Sequence, residues 1–321
     1  MNKIFWIILV LVGIVAPYVI YPVFVMKLLC FALFACAFNL LLGYVGLLSF
    51  GHAAFFGGAA YITGYLVKYA GLTPELGVLA GTVAAGLMGY VFGSLAIRRK
   101  GIYFAMITLA LAQVVYFSAL KSSFTGGEDG LQGIPRGFLF NLVDLTPSLN
   151  MYYFVFTIFC FGFWVIYRTI NSPFGEVLKA IKDNEPRAVS LGYNTEKFKL
   201  LAFIISASLA GMAGSTKALV FHLTSLPDVY WHTSGQAVLM TLLGGMGTIL
   251  GPVIGAFTIV ALNYKLGNVG AWVEVIIGAI FVICVLTFRQ GFVGEAKKWI
   301  KRKQVTKEKY KNLKKIAAKS E

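Results

Sequence analysis

Nine long apolar stretches dominate this sequence, at about 4–20, 23–48, 51–70, 76–97, 101–121, 151–168, 199–221, 235–262 and 271–288. A bilayer crossing takes roughly 20 predominantly apolar residues as a helix. In lipid every backbone polar group must be satisfied internally, which leaves helices or a closed barrel. Composition supports the helical choice: 58% of residues are apolar and only 13% charged, against about 25% charged in an ordinary soluble domain. The expected fold is an all-α polytopic membrane protein, with about eight full transmembrane helices plus a re-entrant or half-helix pair, roughly 8–10 segments. Met1-Asn2-Lys3 followed by Ile4 to Ala16 mimics a signal peptide. It lacks a small-x-small cleavage site, so we read it as an uncleaved first helix.

Charge placement sets the expected orientation. The formal charge is +15, from 28 Lys+Arg and 13 Asp+Glu. Nearly all of it lies on three segments: Arg98–Lys100 at +3, Arg168–Lys199 at +2 and Arg289–Glu321 at +9. Lys and Arg stay on the cytoplasmic side, so all three segments and both termini are expected there. That topology makes 71–75, 122–150 and 222–234 external, and it requires 235–262 to cross an even number of times. The break Gly244-Gly245-Met246-Gly247 with Gly251-Pro252 suggests two half-helices forming a re-entrant pair. Backbone of that kind at membrane depth must be buried in protein or line a cavity. One long kinked helix is the alternative, and it would place the basic tail outside. Stretch 51–70 opens with Ser49-Phe50-Gly51-His52 and is Gly/Ala-rich, so it either spans fully or is partly re-entrant. We expect a permease domain over 1–294, with the cytoplasmic loop 169–198 inside it, and a basic tail over 295–321. The tail is either an anchor on anionic lipid or a disordered solubilising end. It has only Trp299 and Tyr310 among its aromatics, a poor pattern for nucleic acid.

Rows of small residues at four-residue spacing, such as Gly77, Gly81, Ala85, Gly89, Gly93 and Ala207, Gly211, Ser215, let helix backbones approach closely. Ionisable residues inside the spans are few. Lys217 either snorkels at the outer end of its span or has a function, and Glu274 is placed at an interface. His52, near Asn39, either lines a pathway or is a hydrogen-bonded structural histidine. The broken apolar backbone makes Asn39, Ser49, Gly51, His52, Gly244, Gly245 and Gly247 the candidate substrate-pathway residues. Catalytic constellations are missing from the sequence: there is no GxxxxGK[ST], HExxH or Gly-x-Ser-x-Gly, so no catalytic residues are assigned. Cys30, Cys36, Cys160 and Cys284 sit in apolar stretches without CxxC or ligand-like histidines, which points to small buried hydrophobes and no metal site.

The loop 169–198 is patterned for two short helices. Ser172 can cap one with Pro173 at its first position, with Val177, Leu178 and Ile181 as its apolar face; Glu185-Pro186 starts another that stops at Gly192. Such a knob suits docking of a soluble partner.

Several ordered motifs carry a family resemblance. The runs Leu-Leu-Gly-Tyr-Val-Gly-Leu-Leu-Ser-Phe-Gly-His (41–52), Gly-Ile-Tyr-Phe-Ala-Met-Ile-Thr-Leu-Ala (101–110), Thr-Gly-Gly-Glu-Asp-Gly-Leu-Gln-Gly-Ile-Pro (125–135), Ser-Pro-Phe-Gly (172–175), Ala-Ile-Lys-Asp-Asn-Glu-Pro-Arg-Ala (180–188) and Leu-Leu-Gly-Gly-Met-Gly-Thr-Ile-Leu-Gly-Pro (242–252) resemble the LivM-type permease of branched-chain amino-acid ABC importers. The resemblance runs from about residue 25 to 294. It implies a non-catalytic subunit of a bacterial or archaeal inner-membrane importer of leucine, isoleucine and valine. The implied partners are a LivH-like sister permease, two ABC ATPases and an extracytoplasmic binding protein. ATP would be bound by the ATPases, with no cofactor on this chain. The same family also serves urea and short amides; a polytopic membrane enzyme or an ATPase-independent channel is the reading from a different class. The resemblance makes 172–192 the ATPase-coupling segment, with Phe174, Gly175, Lys179, Asp183, Glu185, Ala188 and Gly192 as its candidate residues. Of the Glu-Ala-Ala-x-x-x-Gly pattern common there, only Ala188 and Gly192 keep the spacing. The close Arg289-Gln290-Gly291 lacks the family's Pro, and the lysine-rich extension beyond it is extra.

Overall fold

A computed structural model describes residues 3–267, 270, 272–287 and 291–295. The basic tail beyond Glu295, the Arg289-Gln290 pair and the Glu274 side chain lie outside the described residues. The chain is helical almost throughout: α1 Lys3–Val19, α2 Pro22–Asn39, α3 His52–Tyr69, α4 Pro74–Ala96, α5 Ile102–Lys121, α6 Ser148–Ile170, α7 Pro173–Asp183, α8 Glu185–Ser190, α9 Thr195–Phe221, α10 Leu226–Val229, α11 Trp231–Gly244, α12 Gly251–Leu266 and α13 Trp272–Thr287. Four two-residue strands, β1 Leu131–Gln132, β2 Phe138–Leu139, β3 Val143–Asp144 and β4 Leu223–Thr224, pair as β1–β4 and β2–β3, both antiparallel.

Among the described residues five helical segments are long and apolar enough to cross a membrane: Pro22–Val45, Pro74–Ala96, Ile102–Lys121, Ser148–Ile170 and Thr195–Phe221. Shorter apolar runs occupy Val10–Val19, Gly251–Leu266 and Val275–Cys284. The all-α class is as expected; the described residues hold these five long helices and the shorter apolar ones, and do not confirm the count of eight full crossings. The chain interrupts two of its apolar stretches with irregular backbone. After α2 comes a π-helical turn over Leu40–Val45, then Gly46 at φ +82° and a non-helical segment up to Gly51. The stretch 235–262 is likewise two helices, α11 and α12, joined through Gly245 at φ +118° and Gly247 at φ +70°. No side chain but hydrogen is comfortable at such angles.

The centre of the bundle is α2 and α9. The window of greatest hydropathy in α2 is buried by neighbours over most of its length, that of α5 over little. The small-residue rows make the contacts their spacing predicts. A Cβ on Gly211 would lie 2.2 Å from the Ala85 Cβ, and one on Gly89 would lie 2.5 Å from the Ala207 Cβ. Close approach replaces a hydrophobic drive that lipid does not supply.

Two faces of the bundle are defined by their contacts. On one, Lys100 at the α4–α5 connection pairs with Glu185 of α8 at 2.9 Å. This brings together two of the three basic segments. On the opposite face β1 and β4 join the loops 122–150 and 222–230, supported by Arg136 donating to the Val220 carbonyl at 3.0 Å and Lys68 to the Gln132 carbonyl at 2.7 Å. The α11–α12 turn lies near Gly43, towards the α7–α8 face. Tyr264, near the end of α12, packs at a tilt against Phe24 at the start of α2, 5.1 Å between centroids, towards the β1–β4 face. α11 and α12 therefore form a helical hairpin whose turn points towards the α7–α8 face, the arrangement expected of two half-helices.

Candidate functional site

The loop 172–192 folds as its sequence pattern predicts. Ser172 Oγ accepts from the Gly175 amide at 3.4 Å and donates to the Thr169 carbonyl at 2.7 Å, capping α7 with Pro173 at its first position. Leu178 and Ile181 are buried, while Glu176 and Lys179 pair at 2.7 Å on the open face. Gly175 sits so tightly in the α6–α7 corner that a Cβ would fall 2.3 Å from the Ile170 carbonyl oxygen. Phe174 stacks on Phe198 of α9, with centroids 5.6 Å apart. Asn184 Oδ1 accepts from the Arg187 amide at 3.1 Å and caps α8. Ala188 is buried and seats α8; Gly192, at φ +87° with open space around it, ends the helix. Asp183 is exposed at the α7 end. The outer side of this corner is unexpectedly apolar: Val189 is 55%, Leu191 68% and Tyr193 42% exposed.

Glu185 ties the corner to the bundle. It binds Lys100, Lys199 at the start of α9, and the Thr195 hydroxyl at 3.3 Å. Lys199 is 4% exposed, so this carboxylate is its charge compensation. Burial alone would push the Glu185 carboxyl up, but hydrogen bonds and charge from Lys199 and Lys100 outweigh it and hold the group below the ordinary glutamate range.

A second tie leads deeper. Lys182 Nζ donates to the Gly43 carbonyl at 2.6 Å, inside the π-helical turn. Gly43 in turn abuts the α11–α12 turn, where a Cβ would lie 2.7 Å from the Gly247 nitrogen. Asn39 completes the joint: its Oδ1 accepts from the Gly247 amide at 3.0 Å and its Nδ2 donates to the Thr248 carbonyl at 2.9 Å. Thr248 Oγ1 closes the turn by donating to the Gly245 carbonyl at 2.7 Å and accepting from Gly251 at 3.1 Å. The α7–α8 corner, the π turn and the α11–α12 turn are thus in continuous contact. An open cleft of about 420 Å³ lies beside them, lined by Val45–Leu47, Lys100, Asp183 and Lys199 among others. Lys182→Met removes the only side-chain donor shown reaching Gly43. It is expected to leave the fold intact and increase trypsin cleavage in loop 169–198, and limited proteolysis checks this.

The irregular segment before α3 is held by its own Ser49 and by side chains from two helices. Ser49 Oγ accepts from Gly51 at 3.2 Å, and Thr108 Oγ1 of α5 accepts from the Phe50 amide at 3.2 Å. Ser234 of α11 donates to the Phe50 carbonyl and accepts from Ala53, both at 2.8 Å. His52 is fully buried among Phe38, Phe55 and Phe203. Its Nε2 lies 2.9 Å from Ser206 Oγ, whose single proton goes to the Ala37 carbonyl at 2.6 Å. The imidazole must therefore be the donor, with its proton on Nε2. Asn39 and Ser49 make their polar contacts inside the chain, as does His52 through Nε2, while the buried Nδ1 of His52 has no hydrogen-bond partner among the described residues. Of the seven pathway candidates, Asn39, Gly244, Gly245 and Gly247 gather at the α11–α12 turn, and Ser49, Gly51 and His52 at the break before α3.

Sequence reasoning missed the partner of Lys217. It pairs with Asp228 of α10, and its ammonium sits 5.9 Å from the ring centres of Phe56 and Phe221. Asp228 reads as a loop acid, and only the tucking of α10 against Gly57 of α3 brings it inward. Among the described residues no cluster of His, Cys, Asp and Glu could hold a metal ion.

Comparison with known proteins places the sequence among membrane permeases. The chain is 27% identical over 289 residues to the high-affinity branched-chain amino acid transport system permease protein LivM of Salmonella typhimurium, covering 83% of this chain and 68% of the relative. The corresponding LivH protein of the same organism is 22% identical over 82% of this chain and 91% of its own length. The ribose import permease protein RbsC of Bacillus subtilis is 26% identical over 72% of this chain and 73% of its own. No solved structure matches the chain. The profile described as branched-chain amino acid transport system / permease component matches residues 23–285, and the chain belongs to that family of membrane permeases.

Proposed function

We propose that this chain is the translocating subunit of an ABC importer for branched-chain amino acids. It pairs with a LivH-like sister permease, two ATPases that bind the ATP, and an extracytoplasmic binding protein. It needs no cofactor of its own and catalyses no chemistry. It lies in an inner membrane, with the α7–α8 face and both termini in the cytoplasm. Val189, Leu191 and Tyr193 carry this reading. Three exposed apolar side chains on a charged corner are what a partner's groove would cover, since such a cluster is costly in water.

The coupling corner then works as a lever. An ATPase dimer that holds α7–α8 differently in its two states biases the permease only through that difference in contact. Lys182, Gly43 and Asn39 pass the displacement to the re-entrant turn. The pathway runs along the open side of α5 and the break beside Thr108, with the sister permease as its other wall. His52, Ser49 and Asn39 support the broken backbone from behind. The β1–β4 ladder receives the binding protein.

The amino-acid substrate rests on the LivM likeness, and the likeness to a ribose permease supplies the competing class. Purified with its neighbouring subunits in mild detergent, the protein is expected to retain the ATPases. Val189→Asp with Leu191→Asp is expected to release them while leaving the sister permease bound. Retention of the ATPases by the double variant defeats the docking assignment. Leucine uptake by proteoliposomes that is not reduced by the same variant defeats the coupling assignment, and uptake of ribose in place of leucine defeats the substrate.

A further inference from the structure

The loop between α5 and α6 contains a small hairpin that none of the proposed transport steps uses. Strands β2 and β3 pair Phe138 with Asp144 and Leu139 with Val143, and the Leu142 amide donates to the Leu139 carbonyl at 2.9 Å. Three residues, 140–142, join the strands, and the first two, Phe140 and Asn141, both have positive φ, +48° and +56°. Left-handed backbone of this kind favours Gly or Asn at both positions. Asn141 obeys; Phe140 does not. A bulky residue held in the left-handed region is strained, and strain of this kind points to a use for the side chain.

The hairpin is polarised along its length. Residues 137–143, Gly-Phe-Leu-Phe-Asn-Leu-Val, contain no charge. Phe138, Phe140, Leu142 and Val143 are all exposed, Phe140 by 69% and Leu142 by 85%. The base is polar and fixed: Asp144 accepts from the Thr146 amide at 2.8 Å, and Arg136 donates to the Thr146 carbonyl at 3.0 Å. The tip is pinned sideways, because the Phe140 amide donates to Glu75 Oε1 at 3.1 Å.

Glu75 gives the hairpin its position. It is in the first turn of α4, at the head of the row Leu79, Val83, Leu87, Val91, Leu95, all exposed and four residues apart. The opposite face of α4, Gly81, Gly89 and Gly93, packs on α9. Residues four apart share one helix face, so the apolar tip continues this exposed stripe at its outer end.

We propose that the β2–β3 hairpin is an interfacial membrane anchor, with Phe138, Phe140 and Leu142 inserted at the headgroup–acyl boundary beside α4. The occupant is lipid. An uncharged apolar tip continuous with a bilayer-spanning apolar face suits shallow insertion. A soluble binding protein that must dock and release would be met by a polar rim, which this tip lacks.

Leu142→Trp in the full-length protein, reconstituted in phosphatidylcholine vesicles, tests this against the wild-type tryptophan background. Its added emission is expected to be quenched about twofold more by lipids brominated near the headgroup end of the chain than by lipids brominated near its terminus. Phe140→Gly in that background relieves the turn, so quenching of Trp at 142 is expected to fall while thermal stability holds or rises. Phe138→Trp offers a second probe if the first variant fails to fold. Emission typical of water and indifferent to brominated lipid at both probes overturns the proposal, as does emission that becomes shielded only when an extracytoplasmic binding protein is added.

Discussion

Gly255→Ala is expected to pry apart α11 and α12 and to destabilise the protein by about 1–3 kcal/mol, the range for forcing atoms into a packed interior. A Cβ at this position would lie 1.8 Å from the Met240 carbonyl oxygen, which belongs to backbone and cannot swing away. Gly244→Ala should behave alike, since its Cβ would meet the Gly251 carbonyl oxygen at 1.8 Å. Gly235 supplies the control, because it lies on the same helix as Gly244 with open space around it. Alanine there is expected to be neutral or slightly stabilising through helix propensity. Thermal unfolding in detergent separates the cases: equal midpoints for Gly255→Ala and Gly235→Ala would refute the tight antiparallel packing of α11 on α12. Uptake should fall with Gly255→Ala, because Asn39 can hold Gly247 and Thr248 only while the turn keeps its shape.

Much of this architecture is legible in the sequence because it is local. The run Gly244-Gly245-Met246-Gly247 announces a break, and the structure has both Gly245 and Gly247 at positive φ. Ser172-Pro173 announces a cap, and the cap bond is made. Hydropathy places the apolar segments to within a few residues of the observed helices. The contacts between segments are another matter. Asn39 meets Thr248 across 209 positions, and Lys182 meets Gly43 across 139. Such pairings depend on the rotation of each helix about its axis, and hydropathy says little of rotation when a helix is apolar all round. The moment of α2 is accordingly negligible, although it is the most enclosed span. The candidate pathway residues rest on backbone breakage and on polar side chains within apolar spans. Those signals locate a joint, and they do not reveal which side of the joint faces a neighbour.

Glu185→Ala is the substitution expected to cost most in the coupling corner, because it strands Lys199. That lysine is buried, and Glu185 supplies the carboxylate in its only described ion pair. Removing one member of a buried pair costs about 3–5 kcal/mol, mostly as the penalty of the charge left behind. The lower end applies here, because Glu185 keeps 18% of its side-chain surface. Lys100→Met tests the other limb. Its side chain is 68% exposed, so the loss should stay within about 1 kcal/mol. Glu185→Gln should fall between the two, since an amide oxygen still accepts from Lys199 while the charge is gone. The pH dependence follows from the depressed carboxyl. A group whose native value is lowered stabilises the fold fully above its unfolded value, near 4.5 for glutamate, and loses that contribution as pH falls through the native value. Wild-type stability should therefore show no Glu185-linked change between pH 7 and about 5 and decline below it. In Glu185→Gln that part of the acid decline should vanish. If the two proteins lose stability in parallel from pH 5 downward, the Glu185–Lys199 tie is not what secures the coupling corner to α9. The functional consequence differs from that of Val189→Asp with Leu191→Asp: without Glu185 the ATPases should still bind α8, but their hydrolysis should proceed with less uptake per ATP, because the corner can move without carrying α4 and α9 along.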